Sequence, residues 1–513
     1  MTKRVWLLTA AAVAVLVAAG VAAAAMFAWP KGSVGASGTG LAAISVPGFA
    51  ADVESVLVTD PRGRAFAVSV RHGTIWPLEK LAPGEKLTVT VDFHRPGWIG
   101  WLVGHDTERT YTVVAPVAHL RETLLRLAKG SAVSIRFDAP VSRVSIGGQR
   151  VREVGGRTDV PLGVVASGAA SEGSTTVAAA VRPWESLPAP VSVSWFTPGA
   201  ATQVVAYPAA GARVSPTAPL RLTFAEPVST VLGSKLPTLD PATPGTWTRV
   251  DAHTLEFRSA AAGLPLGGTL KVRLPRRTLA WRVEAGSTLR LQEILGRLGY
   301  LPLRWHGEQP TTPAAELAAA VSAPQGVFAW RFAKTPASLQ RLWKEGSRNV
   351  VTQGAVMVFE GEHGLATDGV AGPAVWRALF RADLAGQRRA GGYSYVLVHE
   401  TIPQSMNLWH NGKVILTSPG NTGIASAPTQ QGTWPVFEHI SSGTMSGTNP
   451  DGSHYNDPGV RWISYFHGGD ALHAFPRASY GTPQSLGCVE LPYTAAEQVW
   501  PYTPIGTLVT IES

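Results

Sequence analysis

The segment SLGCVEL (485–491) contains the only cysteine of this 513-residue chain, and WISYFHGGDALHAF (462–475) lies just before it. Cys488 follows His473 by 15 residues. A thiol is mostly protonated at neutral pH, and a neighbouring imidazole can take its proton to give the thiolate that attacks carbonyl carbon. Gly487 permits a sharp turn, at which the N–H groups of Gly487 and Cys488 can hold an oxyanion. The pattern predicts a nucleophilic cysteine, against the plainer alternative of a small buried apolar residue.

The composition excludes several other classes of protein. One cysteine rules out a disulfide scaffold, a cysteine-rich zinc module and an iron–sulfur site. Ser-x-x-Lys, Gly-x-Ser-x-Gly and His-Glu-x-x-His motifs are absent from the sequence. The six histidines after residue 398 lack helical ligand spacing, so we expect no metal and no cofactor. The net charge of +9 comes without a basic run, and no nucleic-acid partner is predicted.

The N-terminus predicts an exported protein. Lys3 and Arg4 precede an uncharged stretch over residues 5–29, and a helix of that length spans about 37 Å, enough to cross a membrane core about 30 Å thick. Positive charge before the span predicts residues 1–4 in the cytoplasm, a single-pass anchor over 5–29, and the rest outside the cell membrane. A cleaved signal ending near Ala22–Ala24 is the alternative. Residues 30–45 are interpreted as a linker. A free thiol is unusual in an exported chain, which favours a function for Cys488.

The middle of the chain predicts a stalk of small β-sandwiches in a mainly β, multidomain protein. Short alternating runs divide it into modules at 46–117, 118–198 and 199–280, with one helical pattern at Leu120, Leu124 and Leu127. The segments PLRLTFAEPVSTV (219–231) and GTWTRVDAHTLEFRS (245–259) resemble bacterial Ig-like modules of surface proteins. That resemblance implies a spacer rather than chemistry.

A small helical module is predicted over 285–385. Leu291, Ile294, Leu295 and Leu298 follow helical spacing, and further helices are predicted over 352–363 and from Pro373 onward. The segment GAVMVFEGEHGLATDGVAGPAVWRAL (354–379) resembles the peptidoglycan-binding helical module of cell-wall enzymes. An apparent insertion over 305–349 separates the two halves. The module is expected either to bind glycan or only to position its neighbour.

The C-terminal domain, over 391–513, is predicted to be β-rich. Asn411-Gly412 between two apolar runs predicts a hairpin. His473, the Ser485-x-Gly487-Cys488-Val489 motif and the segment NTGIASAPTQQGTWPV (421–436) resemble the L,D-transpeptidase catalytic domain of the YkuD type. Leu486 departs from the family, where His or Lys is common.

The resemblance implies roles for individual residues. Cys488 would be the nucleophile and His473 the general base, and the family's orienting main-chain carbonyl would here be that of Ala474. Ser485 would brace the loop, and Tyr455 would belong to a lid over the acyl donor. His467 is a rival base, although it lies further from Cys488 in sequence, where the family has a loop.

The implied activity is peptidoglycan cross-linking. The thiolate would attack the carbonyl of the third residue of a tetrapeptide stem, D-alanine would leave, and an amine on a neighbouring stem would take the acyl group from the thioester. Carbapenems would acylate the same thiol. The expected partners are peptidoglycan stem peptides and glycan, with the membrane contacted through the N-terminal helix, and the oligomeric state is not predicted. The alternatives are an L,D-carboxypeptidase that uses water as acceptor and a non-catalytic wall-binding protein.

Overall fold

The computed structural model describes residues 2–28, 31–47, 51–97, 100, 104–199 and 202–513. The chain forms two compact units. One comprises residues 1–206 and 223–227, and the other comprises residues 207–222 and 228–513.

The first unit is built mainly from strands. Its elements are α1 (Thr2–Ala28), β1 (Ser33–Gly35), β2 (Ala42–Ser45), β3 (Asp52–Thr59), β4 (Ala65–Phe66), β5 (Val68–Arg71), β6 (Thr74–Pro77), β7 (Lys86–His94), β8 (Asp106–Val114), β9 (Leu124–Arg126), β10 (Ala132–Ile146), β11 (Arg152–Val165), a 3₁₀ turn (Gly168–Ala170), β12 (Glu172–Ala180) and β13 (Val191–Phe196). The strands form sheets in the orders β1-β2-β6-β5, β4-β3-β7-β8 and β11-β10-β12-β13-β9. Strand β7 shows the reason for this fold, because Leu87, Val89, Val91 and Phe93 alternate with polar residues and are all buried.

Two expectations for this unit are wrong. The predicted linker over 30–45 contains β1 and β2, which pair with each other, and Leu41, Ala42 and Ile44 are buried in the core of the module. The predicted helical pattern at 118–128 instead contains β9, which pairs in parallel with β13. The helical spacing of three leucines was misleading, because this strand forms through pairing with a partner that is distant in sequence.

The predicted membrane span over residues 5–29 finds no support. Within the part of the chain that the structure describes, no helix is both long and apolar enough to cross a membrane. Trp29, the last residue of the predicted span, lies outside the described residues.

The remaining elements belong to the second unit, apart from residues 204–206 and 223–224, which belong to the first. They are β14 (Val204–Tyr207) and β16 (Leu220–Phe224) at the division between the units, β15 (Arg213–Val214), α2 (Val228–Leu232), β17 (Thr238–Asp240), β18 (Gly245–Arg249), β19 (Thr254–Ser259), β20 (Thr269–Leu274), β21 (Arg277–Val283), α3 (Thr288–Leu298), β22 (Leu303–Gly307), α4 (Pro313–Val321), β23 (Gly326–Trp330), α5 (Ala337–Arg341), α6 (Val350–Glu362), α7 (Pro373–Leu384), β24 (Ser394–His399), β25 (Ser405–His410), β26 (Lys413–Pro419), β27 (Gly432–Pro435), β28 (Glu438–Thr448), β29 (His454–His467), β30 (Asp470–Ala474), β31 (Val489–Leu491), α8 (Tyr493–Val499), a 3₁₀ turn (Trp500–Tyr502) and β32 (Leu508–Glu512). The sheet of order β15-β21-β20-β17 buries Trp281 completely. The strands of this segment fit its Ig-like interpretation.

The helical module forms as its capping residues indicate. Ser287 accepts a hydrogen bond from the N–H of Arg290 at the start of α3, and Gly299 ends that helix with a φ of +88°. Asn349 caps α6 in the same way, and Pro373 is the first residue of α7.

The predicted insertion is part of the helical module's core. Leu317, Ala320 and Leu339, all from the segment 305–349, are buried in one cluster with the apolar faces of α3, α6 and α7. A buried ionic network joins the same elements, since Arg290 of α3 contacts Glu316 of α4 at 2.7 Å and Asp383 of α7 at 3.1 Å.

The C-terminal domain is a sandwich of two sheets with a shared core. One sheet has the order β26-β25-β24-β32-β27, and the other has the order β28-β29-β30-β31. Val396 and Met406 of the first sheet pack in one cluster with Leu472 and Val489 of the second. The predicted hairpin is confirmed, with Asn411 and Gly412 at positive φ between β25 and β26.

Candidate active site

The pairing of β30 with β31 brings Cys488 and His473 to one face of the second sheet. The two strands are parallel, with Leu472 opposite Val489 and His473 opposite Glu490. Leu472 and Val489 point into the shared core, whereas Ala471 and Cys488 belong to a small cluster on the outer face. Because side chains alternate along a strand, His473 lies on the same outer face as Ala471 and Cys488.

The His473 ring is buried and oriented by the main chain. It is 3% exposed, and its Nδ1–H donates to the carbonyl oxygen of Ala474 at 3.1 Å. This bond leaves the lone pair on Nε2. Burial lowers the pKa of His473, so the ring is neutral and able to accept a proton at Nε2.

The surroundings of Cys488 favour the protonated thiol. Its Sγ–H points to the carbonyl oxygen of Gly469 at 3.7 Å. Burial raises the pKa of Cys488 to about 12, the negative charges of Asp470 and Glu490 act in the same direction, and a main-chain contact with Ala471 opposes them. The side chain nevertheless keeps partial exposure at the surface. The surroundings therefore favour the neutral forms of both the thiol and the imidazole.

The turn before Cys488 is held by hydrogen bonds of its own residues. The Ser485 hydroxyl donates to the carbonyl oxygen of Cys488 at 2.5 Å and accepts from the N–H of Gly487 at 3.3 Å. Gly487 has a φ of +119°, and a Cβ there would lie 2.3 Å from Oδ1 of Asp470. Ser485 thus hydrogen-bonds to both Gly487 and Cys488, and the Gly487 N–H that it engages is one of the two N–H groups predicted for an oxyanion.

A second loop supports this turn, which the sequence alone did not indicate. The main chain of Asn421 exchanges two hydrogen bonds of 2.9 Å with that of Glu490, and the carbonyl oxygen of Thr422 accepts from the N–H of Ser485 at 3.0 Å. The buried side chain of Gln404 in turn accepts from the N–H of Thr422 at 2.8 Å and donates to its hydroxyl at 2.7 Å. These residues come from three separate segments, so no local motif signals their contact.

The sequence also did not indicate an ion pair next to His473. Arg477 donates to both carboxylate oxygens of Glu490, at 2.7 and 2.6 Å, and also to the carbonyl oxygen of Gln484 at 3.2 Å. Glu490 lies directly opposite His473 across the parallel pair. The hydrogen bonds to Glu490 raise the pKa of Arg477, which stays charged and ties the loop after β30 to β31.

Tyr455 lies near the thiol, on a long hairpin formed by β28 and β29. It is opposite Gly447, where an added Cβ would lie 2.7 Å from the Tyr455 hydroxyl. Tyr465, nearer the base of the same hairpin, packs in the cluster that contains Cys488 and was not singled out from the sequence. Burial raises the pKa of both tyrosines, and the charge that Cys488 acquires on ionisation adds to the effect. The alternation in β29 could have indicated Tyr465, since it shares a face with Ile463.

His467 is engaged elsewhere. Its Nδ1 lies 3.5 Å from Oδ2 of Asp470, and its ring lies 4.6 Å from that of Trp434. Desolvation raises the pKa of Asp470, and the contact with His467 opposes that rise. His467 therefore contacts an acid beside the turn, whereas His473 shares the face of Cys488.

In the described residues, one group of side chains has a spacing that could hold a metal ion. Glu54, His94 and Asp106 form it in the first unit, and all three are exposed. Glu54, His94 and Asp106 were not predicted as ligands from the sequence.

A family comparison identifies the domain that carries this site. Residues 394–511 match the model of the L,D-transpeptidase catalytic domain of the YkuD family. This part of the chain is a YkuD-type L,D-transpeptidase catalytic domain.

Individual relatives match less closely. The N-acetylmuramoyl-L-alanine amidase CwlM of Mycobacterium tuberculosis is 31% identical over 88 residues, which are 17% of this chain, and the chain spans about a fifth (21%) of that relative's length. An L,D-transpeptidase structure from Mycobacterium smegmatis is 13% identical, with 61% of this chain and 100% of that chain covered and a TM-score of 0.22. The catalytic domain of the E. faecium L,D-transpeptidase is 25% identical, with 23% of this chain and 96% of that chain covered and a TM-score of 0.22.

Proposed function

We propose that this protein is a peptidoglycan L,D-transpeptidase with Cys488 as its nucleophile. The observation that carries the proposal is the placement of Cys488 and a main-chain-oriented His473 on one outer face of adjacent parallel strands, within a domain of the L,D-transpeptidase family. A protonated thiol on the same face as a neutral imidazole with a free lone pair suits proton transfer at the moment of attack.

The proposed first step is acylation. Nε2 of His473 takes the proton of the Cys488 thiol while the sulfur attacks the carbonyl carbon of the third stem residue. The carbon–nitrogen bond to the terminal D-alanine then breaks, and His473 returns the proton to the leaving amine. The product is a thioester on Cys488 and free D-alanine.

The proposed second step transfers the acyl group to an amine. The amine of a neighbouring stem attacks the thioester carbon and loses a proton to His473. The carbon–sulfur bond breaks, and the thiol regains the proton. A new amide joins the two stems, and the enzyme returns to its neutral pair.

We assign oxyanion stabilisation to the main-chain N–H groups of Gly487 and Cys488. The Gly487 N–H makes a long contact of 3.3 Å with Ser485, so it can turn toward a developing negative charge at small cost. Tyr455 and Tyr465, on the hairpin beside the thiol, form the wall against which the acyl donor lies.

We also propose that the catalytic domain acts outside the cytoplasm, facing the cell wall, since its substrate class is there. Detection of the C-terminal domain by externally added protease in wall-stripped cells tests this placement. Protection of the domain in intact stripped cells would contradict it.

The test of the nucleophile is mass spectrometry of the full chain after incubation with a carbapenem. We expect one covalent adduct, on Cys488, and none in Cys488→Ala. His473→Ala should abolish the adduct, whereas the matched variant His467→Ala should retain it. An adduct that persists in Cys488→Ala, or equal losses in the two histidine variants, would refute the assignment.

Product analysis tests the acceptor. Incubation with a purified tetrapeptide stem should release D-alanine, and an added amine-bearing stem should give the cross-linked dimer. Release of D-alanine with only the tripeptide as partner product, even at high amine concentration, would identify an L,D-carboxypeptidase instead.

A further inference from the structure

A cavity in the helical module is lined by an unusual concentration of positive charge. It has a volume of about 490 Å³ and lies at the C-terminal end of α3. Five arginines line it: Arg297, Arg304, Arg331, Arg388 and Arg389. All its lining residues belong to the described part of the chain, and none of them is acidic.

Only two of these arginines are neutralised by carboxylates. Arg297 lies 2.5 Å from Asp383, and Arg389 lies 2.7 Å from Glu362. Within the described residues, no ion pair with an acid is formed by Arg304, Arg331 or Arg388. Burial lowers the pKa of Arg331, and the neighbouring charges of Arg304, Arg389 and Arg388 lower it further.

Helix capping explains part of this arrangement. Nη1 of Arg331 donates to the carbonyl oxygens of Gly299 and Leu301, at 3.0 and 3.1 Å, and Nη1 of Arg388 donates to that of Arg297 at 2.7 Å. A guanidinium carries five N–H donors, so each side chain keeps donors that these contacts do not use. A helix end supplies only about half a negative charge, against three unneutralised guanidinium groups. Capping thus leaves a surplus of about two to three positive charges around the cavity.

We propose that this cavity binds a diphosphate group. The planar fork of arginine matches phosphate oxygens in pairs, and a diphosphate brings about as much negative charge as the cavity has in surplus. The cavity is larger than one phosphate group requires. Trp305 and Leu298, both buried, form an apolar part of the lining, which can contact the group to which the diphosphate is joined. This site lies on the helical module, apart from Cys488, and does not depend on the proposed transpeptidase activity.

Isothermal titration of the full chain with inorganic diphosphate, at fixed ionic strength, tests the proposal. We expect one binding site, with orthophosphate and citrate weaker by about tenfold or more. Arg304→Glu and, separately, Arg388→Gln should weaken diphosphate binding by about tenfold or more. Arg377→Glu removes an exposed arginine of the same module outside the cavity and should leave the affinity unchanged. Cys488→Ala should also leave it unchanged, which separates this site from the catalytic one.

The outcomes distinguish the source of the group. Tighter binding of a diphosphate monoester than of the inorganic ion assigns the cavity to an esterified diphosphate, and the reverse assigns it to the free ion. Absence of binding, citrate binding as tight as diphosphate binding, or an equal effect of Arg304→Glu and Arg377→Glu would overturn the proposal.

Discussion

The turn before Cys488 should tolerate no side chain at Gly487. Gly487→Ala places a methyl group on a residue whose φ is +119°, a backbone conformation that residues other than glycine rarely adopt. The same methyl carbon would lie 2.3 Å from Oδ1 of Asp470, so the carboxylate or the turn must also move. Either movement displaces the neighbouring thiol relative to His473.

The backbone strain alone is worth about 1–3 kcal/mol. The steric overlap adds to that cost, because Asp470 is largely buried and its other oxygen contacts His467. We therefore expect Gly487→Ala to lower the free energy of unfolding of the C-terminal domain by at least about 1–3 kcal/mol and to slow acylation by a carbapenem.

The single cysteine provides a local assay. Reaction of the Cys488 thiol with a chromogenic reagent, measured against urea concentration, reports unfolding of the domain that contains it, without signals from the rest of the chain. Gly469→Ala is the matched control for stability, since a Cβ at that neighbouring glycine meets open space. Comparison of Asp470→Ala with the double variant Gly487→Ala/Asp470→Ala separates overlap from strain. An unchanged urea midpoint for Gly487→Ala would refute this account of the turn.

Three further predictions concern charged groups. Alkylation of Cys488 by iodoacetamide, followed by mass spectrometry, should accelerate about tenfold per pH unit from pH 6 to 9 without levelling off, because burial raises the pKa of the thiol to about 12; a plateau near pH 8 would contradict this. Arg477→Met leaves the carboxylate of Glu490 buried without its partner and should lower stability by about 1–3 kcal/mol, whereas the double variant Arg477→Met/Glu490→Gln should lose less in the same urea assay. Burial raises the pKa of Glu360 from 4.5 to about 7, so the folded state binds its proton more tightly than the unfolded state does. The resulting stability is present below pH 4.5 and is lost as the pH rises through 7. The midpoint of thermal unfolding should therefore fall more between pH 5 and pH 8 in the wild type than in Glu360→Gln. Equal falls in the two proteins would exclude Glu360 as the source of this pH dependence.

Local sequence patterns predicted many elements of the fold correctly. Strands β16, β20 and β13 alternate apolar and polar residues, and α3 and α7 begin and end near the residues that cap them. Each of these elements has an alternating pattern or a capping residue within its own sequence. The predicted linker over 30–45 lacked such a signal, because β1 and β2 are short and are stabilised by β6, about 30 residues further along the chain.

The residues of the candidate site fall into the same two groups, those joined by local contacts and those brought together from distant parts of the sequence. Cys488, Gly487 and Ser485 lie within one turn, and their hydrogen bonds are local, so a short motif was enough to place them together. Tyr465 and the pair formed by Arg477 and Glu490 come together only through strand pairing and a loop crossing. The types and spacing of Arg477 and Glu490 in the sequence do not distinguish them from ordinary surface residues.

The helical module and the first sheet of the catalytic domain share one core. Tyr395, Trp409 and Leu508 of that sheet are buried in the same cluster as the faces of α3, α6 and α7. A Cβ on Gly354 of α6 would lie 2.5 Å from the carbonyl oxygen of Gly506, so the helix approaches the loop before β32 as closely as its backbone allows. The opposite face of that sheet packs against β30, which carries His473, and β31, which directly follows Cys488. The module therefore supports the site through a continuous apolar core. Whatever the module binds, we infer that it also positions the catalytic domain.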